Sequence, residues 1–443
     1  MLKTFSIGGI HPPENKLSKG KSIEVLPLPE KAIIPISQHI GAPATVIVKK
    51  GDTVKVGQLI AKASGFISAN IHSSVSGTVE KIDNIVDASG YPKPAVIIKV
   101  EGDEWEESID RSEILISNVE LSKEEIIAKV AEAGIVGLGG ATFPANVKLM
   151  PPSGTKAEVL IINAVECEPY LTSDHSIMIE KGEEIINGVH IVMKALEVQS
   201  AIIGIENNKP DAIKYLSELA KKCIGIEICP LKVQYPQGGE KQLIKATINK
   251  EVPSGALPIA VGAVVQNVGS ILAIYEAVQK NKPLFERVVT ITGKSVTNPG
   301  NYLCRIGTPI KNIIEAAGGI PSDTGKIIGG GPMMGKALTN IDSPLTKGSS
   351  GILIMDDKES QRDTQRDCIR CAKCVNVCPM GLEPFLLMTL AENNNIERME
   401  TEDIMDCIEC GSCSYTCPAN RALLDYIRLG KGRTGHMIRT RKQ

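Results

Sequence analysis

The chain is poor in aromatic residues: among its 443 residues only one Trp, eight Tyr and five Phe occur. That is too few for long base-stacking platforms on a nucleic acid. A surplus of charge is also missing, because 49 Lys and Arg against 51 Asp and Glu leave a net charge of -2. Wholesale nucleic-acid binding is therefore not expected. No apolar run reaches the length of a membrane span; the nearest, residues 260–278, is broken by Gln266, Asn267, Ser270 and Glu276. Residues 1–15 hold no charged leader followed by an apolar stretch and a small-residue cleavage site, so secretion is not expected and a reducing, cytoplasmic setting is. Cysteine is scarce along most of the chain, with four in 393 residues, yet eight fall in the 50 residues from Cys368 to Cys417. In a reducing compartment such clustered thiols are more often metal ligands than disulfides.

What is present has room for three to four domains. Residues 1–110 read as short β-segments (44–49, 59–63, 75–81 and 95–100) between turns at Lys50-Gly51-Asp52 and Ser76-Gly77. The run from Val48 to Gln58, followed by Ser76-Gly77-Thr78-Val79, resembles the barrel-sandwich fold of biotinyl and lipoyl carrier domains. It lacks their Met-Lys attachment pair, and residues 64–74 hold no lysine, so a structural or docking role is expected rather than a swinging arm. Ser122 and Glu125 form a capping box for a helix over 122–133 that Gly134 ends. Through residues 111–283, strand-like runs (159–163, 201–205, 227–233) alternate with helical ones (176–196, 211–222, 241–249), the pattern of βαβ units on a mainly parallel sheet. Residues 284–355 read as a small α+β domain, and 356–367, with eight charged residues in twelve, as a solvated linker.

Beyond the linker, Cys368, Cys371, Cys374 and Cys378 with Pro379 spell C-x2-C-x2-C-x3-C-P. Cys407, Cys410, Cys413 and Cys417 with Pro418 repeat it 39 residues later. Paired C-x2-C also suits a zinc ribbon, but tetrahedral zinc needs four thiolates, and an evenly spaced triplet plus Cys-Pro, present twice, exceeds that. The spacing instead predicts a two-cluster ferredoxin unit over 368–425, in which each triplet takes its fourth ligand from the other motif. The expected 4Fe-4S sets are Cys368, Cys371, Cys374 with Cys417, and Cys407, Cys410, Cys413 with Cys378. Two such clusters make a one-electron relay, which needs a donor and an acceptor. Cys167, Cys223, Cys229 and Cys304 are scattered and read as core or loop thiols.

The segment Gly137-Leu138-Gly139-Gly140-Ala141-Thr142-Phe143-Pro144 can present backbone N–H groups to a phosphate, with Lys148 as a nearby point charge. By itself the signal is weak, since it lacks the spacing of the dinucleotide fingerprint and of the P-loop. The strand over 159–163 runs into Asn163-Ala164-Val165-Glu166-Cys167-Glu168-Pro169, and the C-terminal ends of parallel strands are where such sheets bind ligands. Glu166 and Glu168 equally suit an acidic turn before a helix. A later strand ends at Tyr235-Pro236-Gln237-Gly238-Gly239-Glu240-Lys241, and Gln266-Asn267-Val268-Gly269 adds amide groups.

These four segments, in this order, resemble the flavin-bearing NADH-oxidising subunit of respiratory complex I, and still more the C subunit of Rnf membrane complexes. The opening Gly8-Gly9-Ile10-His11-Pro12-Pro13-Glu14 and the domain order strengthen the second likeness. The resemblance implies a multidomain α/β and α+β chain: barrel-sandwich domain, Rossmann-like flavin domain, β-grasp SLBB domain and double 4Fe-4S ferredoxin domain. It further implies noncovalent FMN near Gly137, Gly139, Gly140 and Lys148, with Asn163, Glu166, Tyr235, Glu240 and Asn267 around the ring and ribityl chain. NAD(H) would lie on the flavin face against Phe143 and Glu168. Gly329-Gly330-Gly331-Pro332 reads as a plain loop, although the resemblance would place it near the flavin. Leu138 departs from that family's arginine, Val165 from an aspartate, Gly239 from a glutamate and Lys241 from a threonine. The implied role is a hydride passing between NAD(H) and FMN and single electrons passing on to the clusters, other Rnf subunits and ultimately ferredoxin. Soluble flavin and iron–sulfur cobalamin reductases share these motifs, but the carrier-like domain placed first favours Rnf. A wiring subunit that binds no NADH is a third reading.

The segment from Ala419 onward carries Arg421, Arg428, Lys431, Arg433, Arg439, Arg441 and Lys442 against Asp425, a local charge of +6 on a body of -8. Residues 426–443 thus read as a basic tail suited to anionic head groups at a membrane surface, to an acidic partner or to solvent. With the Rnf likeness, the expected location is the cytoplasmic face of the cell membrane, as a peripheral subunit.

Overall fold

The computed structural model describes residues 2–441. The N-terminal β-segments close into two antiparallel sheets. One has the order Lys31–Pro35, Pro92–Gly102, Ser76–Val86 and Thr53–Val54; the other has Thr45–Val46, Leu59–Lys62 and Ile71–His72. Alternating residues Ile34, Val54, Ile60, Val79 and Ile98 fill the space between them. The first residues do not join this barrel. Lys3 bridges Leu231, Ile10 bridges Tyr235, and Ile23–Val25 pairs in parallel with Gly300–Arg305 of a distant sheet. The segment is a strap across the next two domains.

The second domain is a four-stranded parallel sheet in the order Ile226–Leu231, Ala201–Glu206, Val159–Asn163, Ala263–Asn267. Apolar side chains point to both faces, as a sheet covered on both sides requires: Leu160 and Ile162 meet one helical layer, Val159 and Ile161 the other. The helix Lys123–Glu132 has the capping box read from Ser122 and Glu125, and Gly134 follows at φ +63°. The single helix expected over 176–196 is two, Ser173–Glu180 and Gly182–Leu196. They part at Gly182, where the Tyr215 ring packs so closely that a Cβ would stand 2.4 Å from it. Chain order turns back at the central strand, so Asn163 and Asn267 lie side by side at the topological switch point.

The third domain is a six-stranded mixed sheet containing Glu286–Thr292, Gly300–Arg305, Thr324–Gly329 and Gly351–Asp356, covered by the helix Ile310–Ala316. The charged stretch after it is less irregular than its composition suggests. Asp356 ends a strand and caps the short helix Asp357–Ser360, and only then does the chain run exposed through residues 361–373. Three domains meet at Lys347, whose enclosed ammonium donates to Asn70 O and Gly134 O, each at 2.7 Å. Burial holds this lysine down at about 7.

The cysteine-rich unit repeats in backbone as well as in sequence. Arg370 and Glu409, Ala372 and Gly411, and Gly381 and Asn420 are each 39 residues apart, and all six have positive φ. The short helices Lys373–Asn376 and Ser412–Tyr415 follow the same offset. The basic C-terminal segment is helical. Residues Leu423–Arg441 form one helix that buries Leu423, Leu424 and Ile427. Arg421 pairs with Glu392, Arg428 and Lys431 with Glu409, and Arg441 with Glu400. Much of its charge is thus met within the domain; Lys442 lies outside the described residues. Among the described residues no helix is long and apolar enough to cross a membrane.

Candidate functional site

At the switch point the strand ends bring most of the predicted residues together. Asn163 Nδ2 donates to Gly238 O at 2.8 Å. Asn267 Nδ2 donates to Asp174 Oδ2 at 2.8 Å while its Oδ1 accepts from Gly269 N–H, capping the helix Val268–Lys280. The glycine segment lies against this pair as a loop closed by the Val136–Pro144 bridge and by Gly137 N–H donating to Phe143 O at 2.8 Å. A Cβ on Gly139 would stand 2.7 Å from Asn267 Nδ2, whereas Gly140 faces open space. Lys148 joins from the following helix, donating to Glu240 Oε1 at 2.9 Å and to Val265 O at 3.0 Å. Phe143 is half-buried beside the loop.

Glu166 and Glu168, two residues apart, do different things. Glu166 takes φ +46° and its carboxylate caps the helix Ser173–Glu180, accepting from Asp174 N–H at 2.8 Å and His175 N–H at 3.2 Å. The acidic-turn reading therefore holds for Glu166 in addition to its place at the site. Glu168 turns inward. Its carboxylate accepts from the backbone N–H groups of Met333 (3.2 Å) and Met334 (2.8 Å), and burial pushes its pKa up to about 7 against those bonds. The loop after Gly329 packs on this carboxylate: a Cβ on Gly331 would overlap it at 2.2 Å. Tyr235 is set apart from the other candidates, its buried hydroxyl donating to Cys410 O at 2.8 Å and standing 3.5 Å from Glu168. Burial raises its pKa far above the ordinary phenol value.

Several contributors escaped the sequence reading because nothing local marks them. Asp174, enclosed beside Glu166, has its carboxyl raised to about 6 by burial and then by that neighbour. Arg287, from the third domain, reaches Leu138 O at 3.5 Å and Ser349 O, so a guanidinium meets the glycine loop although position 138 itself is leucine. Burial lowers this arginine to about 10. Lys16 of the strap donates to Glu166 O, Glu168 O and Leu171 O at 2.9, 2.9 and 2.6 Å, and Lys209 donates to Val165 O at 2.7 Å. Two buried ammonium groups thus fix the loop that carries both glutamates, and only tertiary contact could reveal them.

The chemistry of these strand ends suits a flavin phosphate and its ring system. The loop has N–H groups near a helix start, a lysine one turn on, and a glycine where a side chain would strike Asn267. Next to Asn267 the Gln266 amide is buried with neither its nitrogen nor its oxygen partnered among the described residues, a polar group that calls for a ligand or water. The thiols also suit their clusters. Cys378, Cys407, Cys410 and Cys413 line one cavity with Leu387, Leu424 and Ile427, joining three cysteines of the second motif to the fourth of the first. Burial raises Cys407 to about 11 and Cys413 to about 12. Leu382 N–H and Glu409 N–H point at Cys378 Sγ and Cys407 Sγ, each at 3.4 Å. Cys374 and Cys417 neighbour one another, while Cys368 and Cys371 are exposed.

Comparison with known proteins gives these regions family matches. Residues 3–103 match the RnfC barrel sandwich hybrid domain, 130–276 the Nuo51 FMN-binding domain, 288–337 the SLBB domain and 367–421 the 4Fe-4S dicluster domain. The chain is 47% identical to the C subunit of the proton-translocating ferredoxin:NAD(+) oxidoreductase complex of Clostridium ljungdahlii, over 97% of this chain and 93% of that one. It is 44% identical to the C subunit of the Na(+)-translocating ferredoxin:NAD(+) oxidoreductase complex of Acetobacterium woodii, over 96% of each. It is 43% identical to the C subunit of the ion-translocating oxidoreductase complex of Rhodobacter capsulatus, over 98% of this chain and 84% of the relative. In fold it is similar to a chain of an NAD+-reducing [NiFe]-hydrogenase, with a TM-score of 0.51 and 19% identity, over 71% of this chain and 63% of the other.

Proposed function

Since the chain belongs to the family of C subunits of ion-translocating, Rnf-type ferredoxin:NAD+ oxidoreductase complexes, we propose that its switch-point cleft exchanges electrons between NAD(H) and the paired clusters through FMN. It is an electron-transfer subunit of a translocase-type oxidoreductase, with an FMN-binding domain and a 4Fe-4S dicluster domain. The observation that carries the reading is the convergence of Gly139, Asn163, Asn267, Lys148 and Glu240 at one strand-end crevice, with a cysteine loop of the dicluster domain joined to the same domain through Tyr235.

In this reading Gly137, Gly139, Gly140 and Lys148 hold the flavin phosphate, and Asn163, Glu166, Glu240 and Asn267 border the ribityl chain and ring, with Tyr235 toward the clusters. Phe143 and Glu168 serve the NAD(H) side, Glu168 also by holding the loop over 330–335. When bound, FMN supplies the change between two-electron and one-electron transfer, and the clusters carry single electrons. The side chains need no acid–base step; they would hold the nicotinamide against the flavin, exclude water and set potentials by hydrogen bonding and burial. The partners are the membrane subunits of such a complex and, through them, ferredoxin, with this chain peripheral on the cytoplasmic side.

Anaerobic mixing of the loaded protein with NADH should bleach the flavin absorbance and bring up reduced-cluster EPR signals. A fully loaded protein that gives neither response would rule the reading out. Sedimentation with membranes carrying the partner subunits, and not with membranes lacking them, checks the peripheral assignment.

A further inference from the structure

The domain that carries the flavin site, together with its strap, grips one cysteine set and, among the described residues, makes no hydrogen bond to the other. Tyr235 donates to Cys410 O at 2.8 Å. Gln242 Nε2 donates to Pro379 O at 3.2 Å, and Lys241 stands 3.6 Å from Asp406. From the strap, Gly9 N–H donates to Val377 O at 2.9 Å, and Gly8 lies so close to Cys378 that a Cβ would be 2.6 Å from its carbonyl carbon. Every one of these contacts falls on, or next to, Cys378, Cys407 or Cys410, three of the four thiols that line one cavity. Ile10, Tyr235 and Cys410 are buried together, with Cys167, Met333 and Val377 packed against them. Cys368 and Cys371 stand on the opposite footing, in the exposed run over 361–373, where Ile369 is 68% exposed.

We propose that the cluster held by Cys378, Cys407, Cys410 and Cys413 is the inner one, exchanging electrons with the flavin cleft across Tyr235. The cluster held by Cys368, Cys371, Cys374 and Cys417 is the outer one, facing the next carrier. Tyr235 is a positioning residue: its hydroxyl donates to the Cys410 carbonyl oxygen, which holds the Cys410 loop against the flavin domain and offsets the negative end of a carbonyl dipole beside an inner-cluster ligand, and this would favour the cluster's reduced, more negative state. With the cofactors in place, the two electrons released when NADH is oxidised to NAD+ and H+ would cross this contact one at a time, and the groups around Cys378, Cys407 and Cys410 would hold the inner cluster where it could accept each of them. The inference rests on the flavin and cluster assignment given under Proposed function.

The test uses the full-length protein loaded with FMN and iron, its content verified for each variant. Tyr235→Phe keeps the ring and removes only the hydroxyl; Cys410→Ser identifies the inner cluster's EPR signal. In a dithionite titration followed by EPR, Tyr235→Phe should make the inner cluster harder to reduce, by about three- to ten-fold in the equilibrium constant, and leave the outer cluster unchanged. A shift confined to the outer cluster, a shift of both, or no shift overturns the proposal. Freeze-quenching after NADH addition should show the inner signal first, and the reverse order also overturns it. The titration does not use NADH, so a protein that fails to react with NADH would fail the functional reading while this proposal was still decided.

Discussion

Glu168 is the residue whose setting makes the clearest solution prediction. Loss of solvation raises its carboxyl from 4.5 to about 7 in the folded chain, against the pull of the Met333 and Met334 amides. Between those values the folded state holds more protons than the unfolded one, so the stability this group contributes falls as pH rises and levels off above about 7. Asp174 and Glu206, raised to about 6 and about 7 mainly by burial, act in the same direction. Glu168→Gln keeps an oxygen for the two amides and removes the charge. Urea unfolding at pH 5 and pH 8 should show the wild type losing about 1–2 kcal/mol relative to the variant at the higher pH, less than the full shift implies because part of the side chain meets solvent. An equal difference at both pH values would show that this carboxylate does not titrate as its setting requires.

At the scale of elements, the glycine loop is held shut at its base by the Val136–Pro144 bridge and backed by Arg287, so its shape does not depend on a ligand for closure. Gly139 is needed where it is because Asn267 occupies the space a side chain would take. Gly139→Ala should therefore displace Asn267 from the cleft and cut bound FMN by at least about ten-fold, while cluster EPR signals remain at wild-type intensity. Flavin released by acid and counted against iron content provides the check, and full retention of FMN would place the phosphate elsewhere. The loop is legible in the sequence as a cluster of glycines, but its spacing matches no phosphate-binding fingerprint. What makes it specific is Asn267, 128 positions along from Gly139 and brought to it by the pairing of two parallel strands.

For the whole molecule, the last helix shows how a charge count can mislead. Composition shows only an excess of basic residues after 418, whereas in the fold Leu423, Leu424 and Ile427 are buried and four of the basic residues meet Glu392, Glu400 or Glu409. Surface pairs of this kind contribute little each, roughly 0–1 kcal/mol, so apolar burial is what docks the helix. A chain ending at Ala422 should lose the wall that Leu424 and Ile427 give to the inner-cluster cavity. It should bind fewer than eight iron atoms per chain after reconstitution, with the flavin domain still folded; iron analysis and thermal melts measure both. Unchanged iron content would mean that the helix is dispensable for the cluster it borders.

The sequence by itself determined the elements governed by local chemistry. Ser122 and Glu125 specify a helix start through bonds between neighbours, the two cysteine motifs specify ligand loops through fixed spacing, and the alternation of strands and helices specifies a parallel sheet. It could not determine that Glu168 would turn inward while Glu166 capped a helix eight residues on, since the Met333 and Met334 amides that receive Glu168 lie 165 and 166 positions away. Nor could it show that Lys16, Tyr235 and Arg287 would converge on the site, because hydrogen bonds spanning 149 to 175 positions leave no periodic or spacing signal along the chain. Those choices belong to the tertiary structure: a buried charge or hydroxyl must find a partner, and only the packed domains decide which partner is within reach.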